Sequence, residues 1–438
     1  MPAKLLCIGD IHLGRVPSKL PDTIGPIKNY SPAAAFSAAV EWAKNHHVDA
    51  LLMAGDVLES EESRFEELPI LAKGIKSLYD AGIPSYAVAG NHDSEALPRL
   101  KNIVNSLHII GADGKWEETV IEGADGTNAT ILGWSFPCGC RGAYRENPLK
   151  LLDPSFSANS AIGLLHADLD APGSRYAPVT RAELDSVPVA GWLLGHIHKP
   201  DALDEMQRPI GYMGSLCGLD PGEPGMHSAW LVEISPGGAL EMKRIPLAPI
   251  RWETIEIDAA ELDAETMNDV SDMIIAGVRG AMDAKYREIE PELENVKAVG
   301  CRIRITGRNA AAQFIRTAAA DPGILAALTS EYSGISFFTE KIICTIRPAL
   351  DVESLAKGDD AAGILARRIL ILEEGGRRSA DMICEARRKI TDQLNRKLRR
   401  DAEVMIQDDG DMLRYLLEGA YDALDALCRD SAGTGGIK

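Results

Sequence analysis

The sequence has little positive charge and no long apolar run. Across 438 residues, 46 Lys and Arg stand against 65 Asp and Glu, which gives a formal net charge of −19 at pH 7. This balance argues against a protein that coats nucleic acid by charge alone, and against a polybasic protein of the membrane surface. No window approaches the ~18 uninterrupted apolar residues that a membrane span needs. We therefore expect no membrane partner.

The eight cysteines also lack a metal-binding or disulfide pattern, because none of them forms a C-x-x-C pair. Near the amino terminus, the apolar run at residues 5–8 is too short for the core of an export signal, and Asp10 follows it closely. We therefore expect free thiols and a cytoplasmic protein.

At this length, two or three domains are expected. Residues 1–250 alternate apolar, strand-like runs with amphipathic helices, which predicts an α/β domain. Residues 251–350 indicate a second, small α/β unit, in which Val299, Cys301 and Ile303 alternate with polar residues as in a half-buried strand. Residues 351–430 are typical of helices, and residues 431–438 are expected to form a flexible tail.

Five apolar runs in the first domain end abruptly in side chains that bind metals. Because parallel strands present their carboxyl ends at one edge of a sheet, we expect these side chains to meet. A set of nitrogen and oxygen donors without a thiolate suits Mn²⁺ or Fe²⁺, with Zn²⁺ as an alternative. Each motif alone is weak, but seven donors in five such places are too many for one ion and predict two ions that share a carboxylate. The seven are Asp10, His12, Asp56, Asn91, His166, His196 and His198.

In their order, these motifs resemble the five blocks of the calcineurin-like metallophosphoesterases: G-D-x-H, G-D, G-N-H-D, a His at a strand end and G-H-x-H. Shorter segments narrow the resemblance to the SbcD-type DNA-repair exonucleases, at residues 12–15, 176–184, 194–200, 212–215 and 223–225. The resemblance implies an α/β fold with a metallophosphoesterase β-sandwich flanked by helices over residues 1–250. A small α/β capping domain over residues 251–350 and a C-terminal helical region would follow.

The resemblance also implies roles for single residues. Asp10, His12 and His198 would hold one ion, and Asn91, His166 and His196 the other, with Asp56 bridging both. His92 stands where the family has its phosphate-contacting histidine, and Asp93 where a carboxylate orients that ring. The expected cofactor is a pair of divalent ions, first of all Mn²⁺, and the expected reaction is attack of a metal-bound hydroxide on phosphorus. Residues 138–152 match no block of the family.

These expectations describe a metal-dependent DNA nuclease subunit, an exonuclease with or without endonuclease activity, that hydrolyses phosphodiester bonds in DNA repair. The alternative is a metallophosphoesterase for small phosphodiesters or phosphoproteins, because the core motifs are shared. The resemblance further implies an SMC-like ABC ATPase partner of SbcC type and a homodimer. Residues 387–400 carry seven basic side chains against one acidic. This segment could contact DNA, dock the partner or form a solvated face, and these three interpretations stay open.

Overall fold

The computed structural model describes residues 2–59, 64–100, 104, 106–123, 126, 128–156, 158, 160–235, 237–262, 269–397 and 408–433. The chain divides into two compact units. The first comprises Met1–Thr254, Met282–Arg302 and Thr329–Glu340, and the second Ile255–Ala281, Ile303–Leu328 and Lys341–Lys438.

The strands and helices are as follows. The strands are β1 (Ala3–Ile8), β2 (Ala50–Ala54), β3 (Ser85–Val88), β4 (Leu107–Ile109), β5 (Trp116–Glu122), β6 (Asn128–Trp134), β7 (Ile162–His166), β8 (Gly191–Gly195), β9 (Ile210–Tyr212), β10 (Ala229–Ile234), β11 (Leu240–Ile245), β12 (Ile250–Asp258), β13 (Ala298–Thr306), β14 (Arg308–Asn309), β15 (Thr329–Tyr332), β16 (Ile335–Cys344) and β17 (Arg347–Pro348). The α-helices are α1 (Pro32–Asn45), α2 (Arg64–Asp80), α3 (Ala96–Leu100), α4 (Arg181–Ser186), α5 (Asp269–Ile289), α6 (Ala312–Ala319), α7 (Pro322–Ala327), α8 (Val352–Leu355), α9 (Ala361–Glu374), α10 (Gly376–Lys397) and α11 (Asp409–Gly433).

Two sheets of the first unit form a β-sandwich. One has the strand order β11-β10-β1-β2-β3-β4 and the other β5-β6-β7-β8-β9. Strands β1 to β4 are parallel in the first sheet, and β6 to β9 are parallel in the second. Leu52 of the first sheet and Leu164 of the second belong to one buried cluster between the sheets. The predicted α/β fold with a β-sandwich is confirmed.

Helices cover the outer face of the first sheet. Phe36 of α1 and Ile75 of α2 share a buried cluster with Leu6 and Met53 of the sheet. Strands β1 and β2 are thus covered on both faces, which explains why they appear in the sequence as continuous apolar runs rather than as alternating ones.

The segment after residue 250 contains a four-stranded sheet of order β12-β13-β16-β15. In β13, Val299, Cys301, Ile303 and Ile305 are buried, whereas Arg304 is exposed. The alternation predicted for this strand is confirmed.

The predicted C-terminal helical region is present as α8 to α11, where Ala366, Ile369, Tyr421 and Leu424 share a buried cluster. In α10, Arg387 pairs with Asp409 at 2.7 Å. Of the predicted basic segment, the side chains of residues 390–397 and all of residues 398–400 lie outside the described part of the chain. Residues 434–438 of the predicted tail do so as well. Among the helices described, none is long and apolar enough to cross a membrane. The eight cysteines are free thiols.

The contact between Gly163 of β7 and Trp192 of β8 gives a test of the packing within the second sheet. A Cβ atom on Gly163 would lie 2.1 Å from the Trp192 ring, which is fully buried. Overpacking of this kind costs ~1–3 kcal/mol. Gly163→Ala should therefore lower the free energy of unfolding by that amount in urea titrations. Gly237→Ala, where a Cβ atom meets nothing within 4 Å, is the matched control and should change it little. Equal stability of the two variants would contradict the packing described.

Candidate metal centre

The site lies where the carboxyl ends of parallel strands from both sheets meet. Strands β1, β2 and β3 of the first sheet end before Asp10, Asp56 and Asn91, while β7 ends at His166 and β8 before His196. Each of the seven side chains predicted to bind metal contacts at least one other of the seven. Residues from distant parts of the sequence thus lie close together, because their strands end at the same edge of the sandwich.

The first group of donors consists of Asp10, His12 and His198, whose ligand atoms lie within 4.8 Å of one another. The Nδ1 atom of His12 lies 2.7 Å from a carboxylate oxygen of Glu59, and Nδ1 of His198 lies 2.6 Å from one of Glu223. A carboxylate at Nδ1 keeps the proton there and leaves Nε2 as a lone pair.

The two Nε2 atoms of this group lie 3.0 Å apart. Two lone pairs at that distance repel each other unless a positive charge lies between them. The donor set and its carboxylate partners therefore fit a divalent cation.

The second group consists of Asp56, His166 and His196. The Oδ1 atom of Asn91 lies 3.0 Å from Nε2 of His166 and 3.1 Å from Nδ1 of His196. The opposite ring nitrogens face acceptors, the Ala54 carbonyl at 3.0 Å and the Asp168 carboxylate at 3.1 Å. When each ring carries a single proton, that proton lies on the outer nitrogen, and the inner nitrogen presents a lone pair to the site. This group also fits a cation.

Asp56 adjoins both groups. Its Oδ2 atom lies 3.4 Å from Nε2 of His166 and 3.8 Å from Nε2 of His12. The arrangement fits two divalent metal ions held close together.

The electrostatics of the site call for positive charge. Burial raises the pKa of Asp10, and the Asp56 carboxylate adds to that effect. Burial alone would lower the pKa of His166, but the carboxylates of Asp56 and Asp10 outweigh it and raise the pKa to about 9. A proton on His166 supplies positive charge in the metal-free protein, and a divalent ion would take over that role.

The backbone at the site is held in unusual conformations. Asp10, His12, Asp56 and His196 have φ values of 44°, 50°, 47° and 109°, in the left-handed region that costs a non-glycine residue ~1–3 kcal/mol. A Cβ atom on Gly90 would lie 2.2 Å from Oδ1 of Asp56, so only glycine lets β3 approach this carboxylate.

His92 is exposed next to the donors. Its backbone N–H donates to Oδ1 of Asp56 at 2.9 Å, and its Nδ1 lies 2.7 Å from the carbonyl oxygen of Glu59. The Glu59 carbonyl therefore fixes the proton on Nδ1 and the direction of the ring.

Asp93 differs from the expectation that it orients the His92 ring. Its buried carboxylate accepts hydrogen bonds from the backbone N–H groups of Gly90 at 2.8 Å and Val57 at 2.7 Å. Burial, with the Asp56 carboxylate, raises the pKa of Asp93 to about 6. A buried carboxylate has to be satisfied locally, and here it ties together the turns after β2 and β3.

The sequence analysis did not identify the three carboxylates that orient the histidine rings, which are Glu59, Asp168 and Glu223. None of them directly follows an apolar run, which was the signal used. Asp168 lies two residues after His166 and Glu59 three after Asp56, so a search near each ligand would have found these two. Glu223 lies on a loop held by buried His227, whose Nε2 is 3.1 Å from the Glu223 carbonyl oxygen.

Two adjoining groups of nitrogen and oxygen donors at the edge of a β-sandwich form a site that fits two divalent metal ions. Residues 3–200 match the family model of the calcineurin-like phosphoesterases. This part of the chain is a calcineurin-like phosphoesterase domain, as the sequence motifs predicted.

Three individual proteins are similar to this chain at low sequence identity. The chain is 27% identical to the uncharacterized metallophosphoesterase YhaO of Bacillus subtilis, over 59% of this chain and 62% of that protein. It is 26% identical to the DNA double-strand break repair protein Mre11 of Aeropyrum pernix, over 59% of this chain and 64% of that protein. It is 23% identical to the Mre11 protein of Haloferax volcanii, over 75% of this chain and 67% of that protein. The chain thus spans a little under two thirds of the first two relatives.

The position of Asp56 between the two groups predicts a shared loss of metal. Asp56→Asn should reduce the occupancy of both ions together. The substitution replaces a carboxylate close to the donors of both groups with a neutral amide. Occupancy is measured by elemental analysis after dialysis against Mn²⁺. Asp80→Asn, at an exposed i,i+4 ion pair with Lys76, is the control and should keep both ions. Two ions still bound in Asp56→Asn would refute the shared position.

The carboxylates of Glu59 and Glu223, which contact the rings of His12 and His198, predict a smaller effect on metal binding. Glu59→Gln and Glu223→Gln remove the charge that holds a proton on Nδ1 of His12 and His198, respectively. Each should weaken metal binding ~10–100-fold, the usual effect of losing such a partner. Metal titrations followed by calorimetry measure this. Glu41→Gln, on an exposed pair with Lys44, should bind metal as the unmodified chain does. Unchanged affinity in both test variants would show that the carboxylates do not tune the rings.

Proposed function

We propose that this chain is a metal-dependent DNA nuclease subunit that hydrolyses phosphodiester bonds in DNA repair. The observation that carries the proposal is the pair of donor groups around Asp56, with the exposed ring of His92 beside them. The substrate is supported by the two relatives named as DNA double-strand break repair proteins, one of which aligns with 75% of this chain. The earlier resemblance of residues 176–184 and 194–200 to SbcD-type exonucleases points the same way.

We assign Asp10, His12 and His198 to one ion, and Asn91, His166 and His196 to the other, with Asp56 shared. Mn²⁺ is the expected metal, because the donors are imidazole and oxygen atoms without a thiolate, and Fe²⁺ or Zn²⁺ are the alternatives. When bound, two such ions lower the pKa of water and neutralise charge on the phosphate.

We assign proton transfer to His92. The Glu59 carbonyl accepts the Nδ1–H of the ring, so the exposed Nε2 is the atom that meets the substrate. In its protonated form, the ring would stabilise the developing negative charge or give the Nε2 proton to the leaving oxygen. Asp93 supports this step only indirectly, by holding the turn that carries His92.

An ATPase partner is part of the proposal. Residues 1–250 carry 20 basic and 31 acidic side chains, and residues 251–438 carry 26 and 34, so neither part attracts DNA by its overall charge. A separate SMC-like ABC ATPase subunit would supply the grip on DNA that this chain lacks. The C-terminal helices are the segment that the resemblance assigns to the partner.

The direct test is digestion of end-labelled single-stranded and duplex DNA with Mn²⁺, next to a chromogenic phosphodiester. The unmodified chain should degrade DNA. His92→Ala should keep both ions but lose turnover ~10²–10⁴-fold, the usual contribution of a positioned proton donor. The control is His47→Asn, which changes an exposed histidine whose φ of 51° asparagine tolerates.

The outcomes separate two functions. Cleavage of the small ester without cleavage of DNA would replace the nuclease by a phosphoesterase of small phosphodiesters or phosphoproteins. Turnover of His92→Ala near that of His47→Asn would exclude His92 as the proton donor.

A further inference from the structure

A cavity of about 610 Å³ lies beside the second donor group. Asn91 and His92 of the metal centre line this cavity, and so do Arg141 and Arg175. Neither arginine belongs to a metal-binding motif, and Arg141 lies in the stretch that matches no block of the family.

Two loops carry these arginines, and backbone hydrogen bonds join the loops. The N–H of Tyr144 donates to the carbonyl of Arg175, and the N–H of Ala177 donates to the carbonyl of Tyr144, both at 2.7 Å. Gly142 fixes the first loop against the metal centre, since a Cβ atom there would lie 2.6 Å from the carbonyl oxygen of Asn91. Both arginines are thus held at a set distance from the donors.

Arg175 is also tied to the site through its side chain. Its Nη2 donates to the hydroxyl of Tyr176 at 2.7 Å, and its guanidinium carbon lies 4.9 Å above the Tyr176 ring. The Tyr176 ring lies 4.8 Å from the ring of His196, centroid to centroid. The guanidinium is therefore ordered next to a donor of the second group.

The cavity has an excess of positive charge. Both carboxylates that line it already form ion pairs with other arginines. Glu59 pairs with Arg15 at 3.8 Å, and Glu95 pairs with Arg99 at 3.0 Å. Within the described ranges, neither Arg141 nor Arg175 forms an ion pair with a carboxylate. Two guanidinium groups thus stay available to an anion at the rim of the metal centre.

Arg141 holds a costly backbone conformation. Its φ is 52°, in the left-handed region, where glycine or asparagine fits better than arginine. Neighbouring Gly139 and Gly142 have φ values of 83° and 70°, so the loop needs several left-handed residues. A long cationic side chain that lines a cavity from such a position points to a role in ligand binding.

We propose that Arg141 and Arg175 bind a second phosphate of the substrate, next to the phosphate held at the metal centre. Guanidinium groups suit phosphate because they donate in a planar, two-pronged geometry. The site would then select a strand with consecutive phosphates over a single phosphodiester. This inference rests on the proposed nuclease function, whose substrate it makes more specific.

The test is calorimetric titration of the Mn²⁺-loaded chain with two dinucleotides, TpT and 5′-phosphorylated pTpT, each with a phosphorothioate linkage that slows cleavage. The two ligands differ by one phosphate. The unmodified chain should bind pTpT at least tenfold more tightly, which is the scale of one charge-assisted hydrogen bond. Arg141→Asn, which also suits the left-handed backbone, and Arg175→Gln should each reduce this preference, and the double variant should abolish it.

Arg145→Gln is the matched control, because Arg145 is exposed on the same loop but does not line the cavity. It should keep the preference for pTpT. Equal binding of the two dinucleotides by the unmodified chain, or a preference retained in the double variant, would overturn the inference. Because binding is measured without turnover, a preference for pTpT in a chain that leaves DNA intact would uphold the second phosphate site and reject the nuclease.

Discussion

The metal centre depends on one electrostatic constraint: buried lone pairs and carboxylates are held so close together that positive charge has to lie among them. The Nε2 atoms of His12 and His198 are 3.0 Å apart, and Asp10 and Asp56 are 1% and 2% exposed. Leaving buried charges without a partner is expensive. The fold maintains the arrangement because strand ends, left-handed turns and carboxylates behind the rings fix each donor separately. Metal binding should therefore stabilise the first unit as well as activate it.

Much of this centre could be predicted because strand direction makes distant residues meet. A buried parallel strand is recognisable as an apolar run, and its last residues always face the same edge of the sheet. The seven donors follow five such runs, so their meeting required no knowledge of side-chain rotamers. The fold of the first 250 residues was predictable for the same reason, since the apolar runs define both sheets.

The parts that were not predicted depend on contacts between loops. Glu223 orients His198 from 25 residues away, and no periodicity connects the two. Asp93 could turn toward the adjacent ring or toward the backbone N–H groups of two turns, and the sequence does not distinguish these. The structure shows the second arrangement, because burial favours the partners that fully satisfy a carboxylate. Tertiary packing between loops determines such hydrogen-bond partners, and the positions of the strands alone do not.

In the proposed nuclease, chemistry and substrate selection lie on different parts of the chain. The metal donors lie at strand ends that the core holds in place. Arg141 and Arg175, in contrast, lie on loops whose sequence the core does not constrain. Under the proposed function, this division would reconcile a net charge of −19 with a polyanionic substrate. Surface charges are screened beyond a Debye length of ~8 Å at physiological salt, so the acidic surface weakens long-range attraction but hardly reaches a phosphate already in the cavity. The two metal ions and the two arginines of the proposed site would act at contact distance, where screening is weak. In the proposed nuclease, binding by this chain alone would then involve few phosphates, and a longer grip on DNA would come from a second, more basic surface.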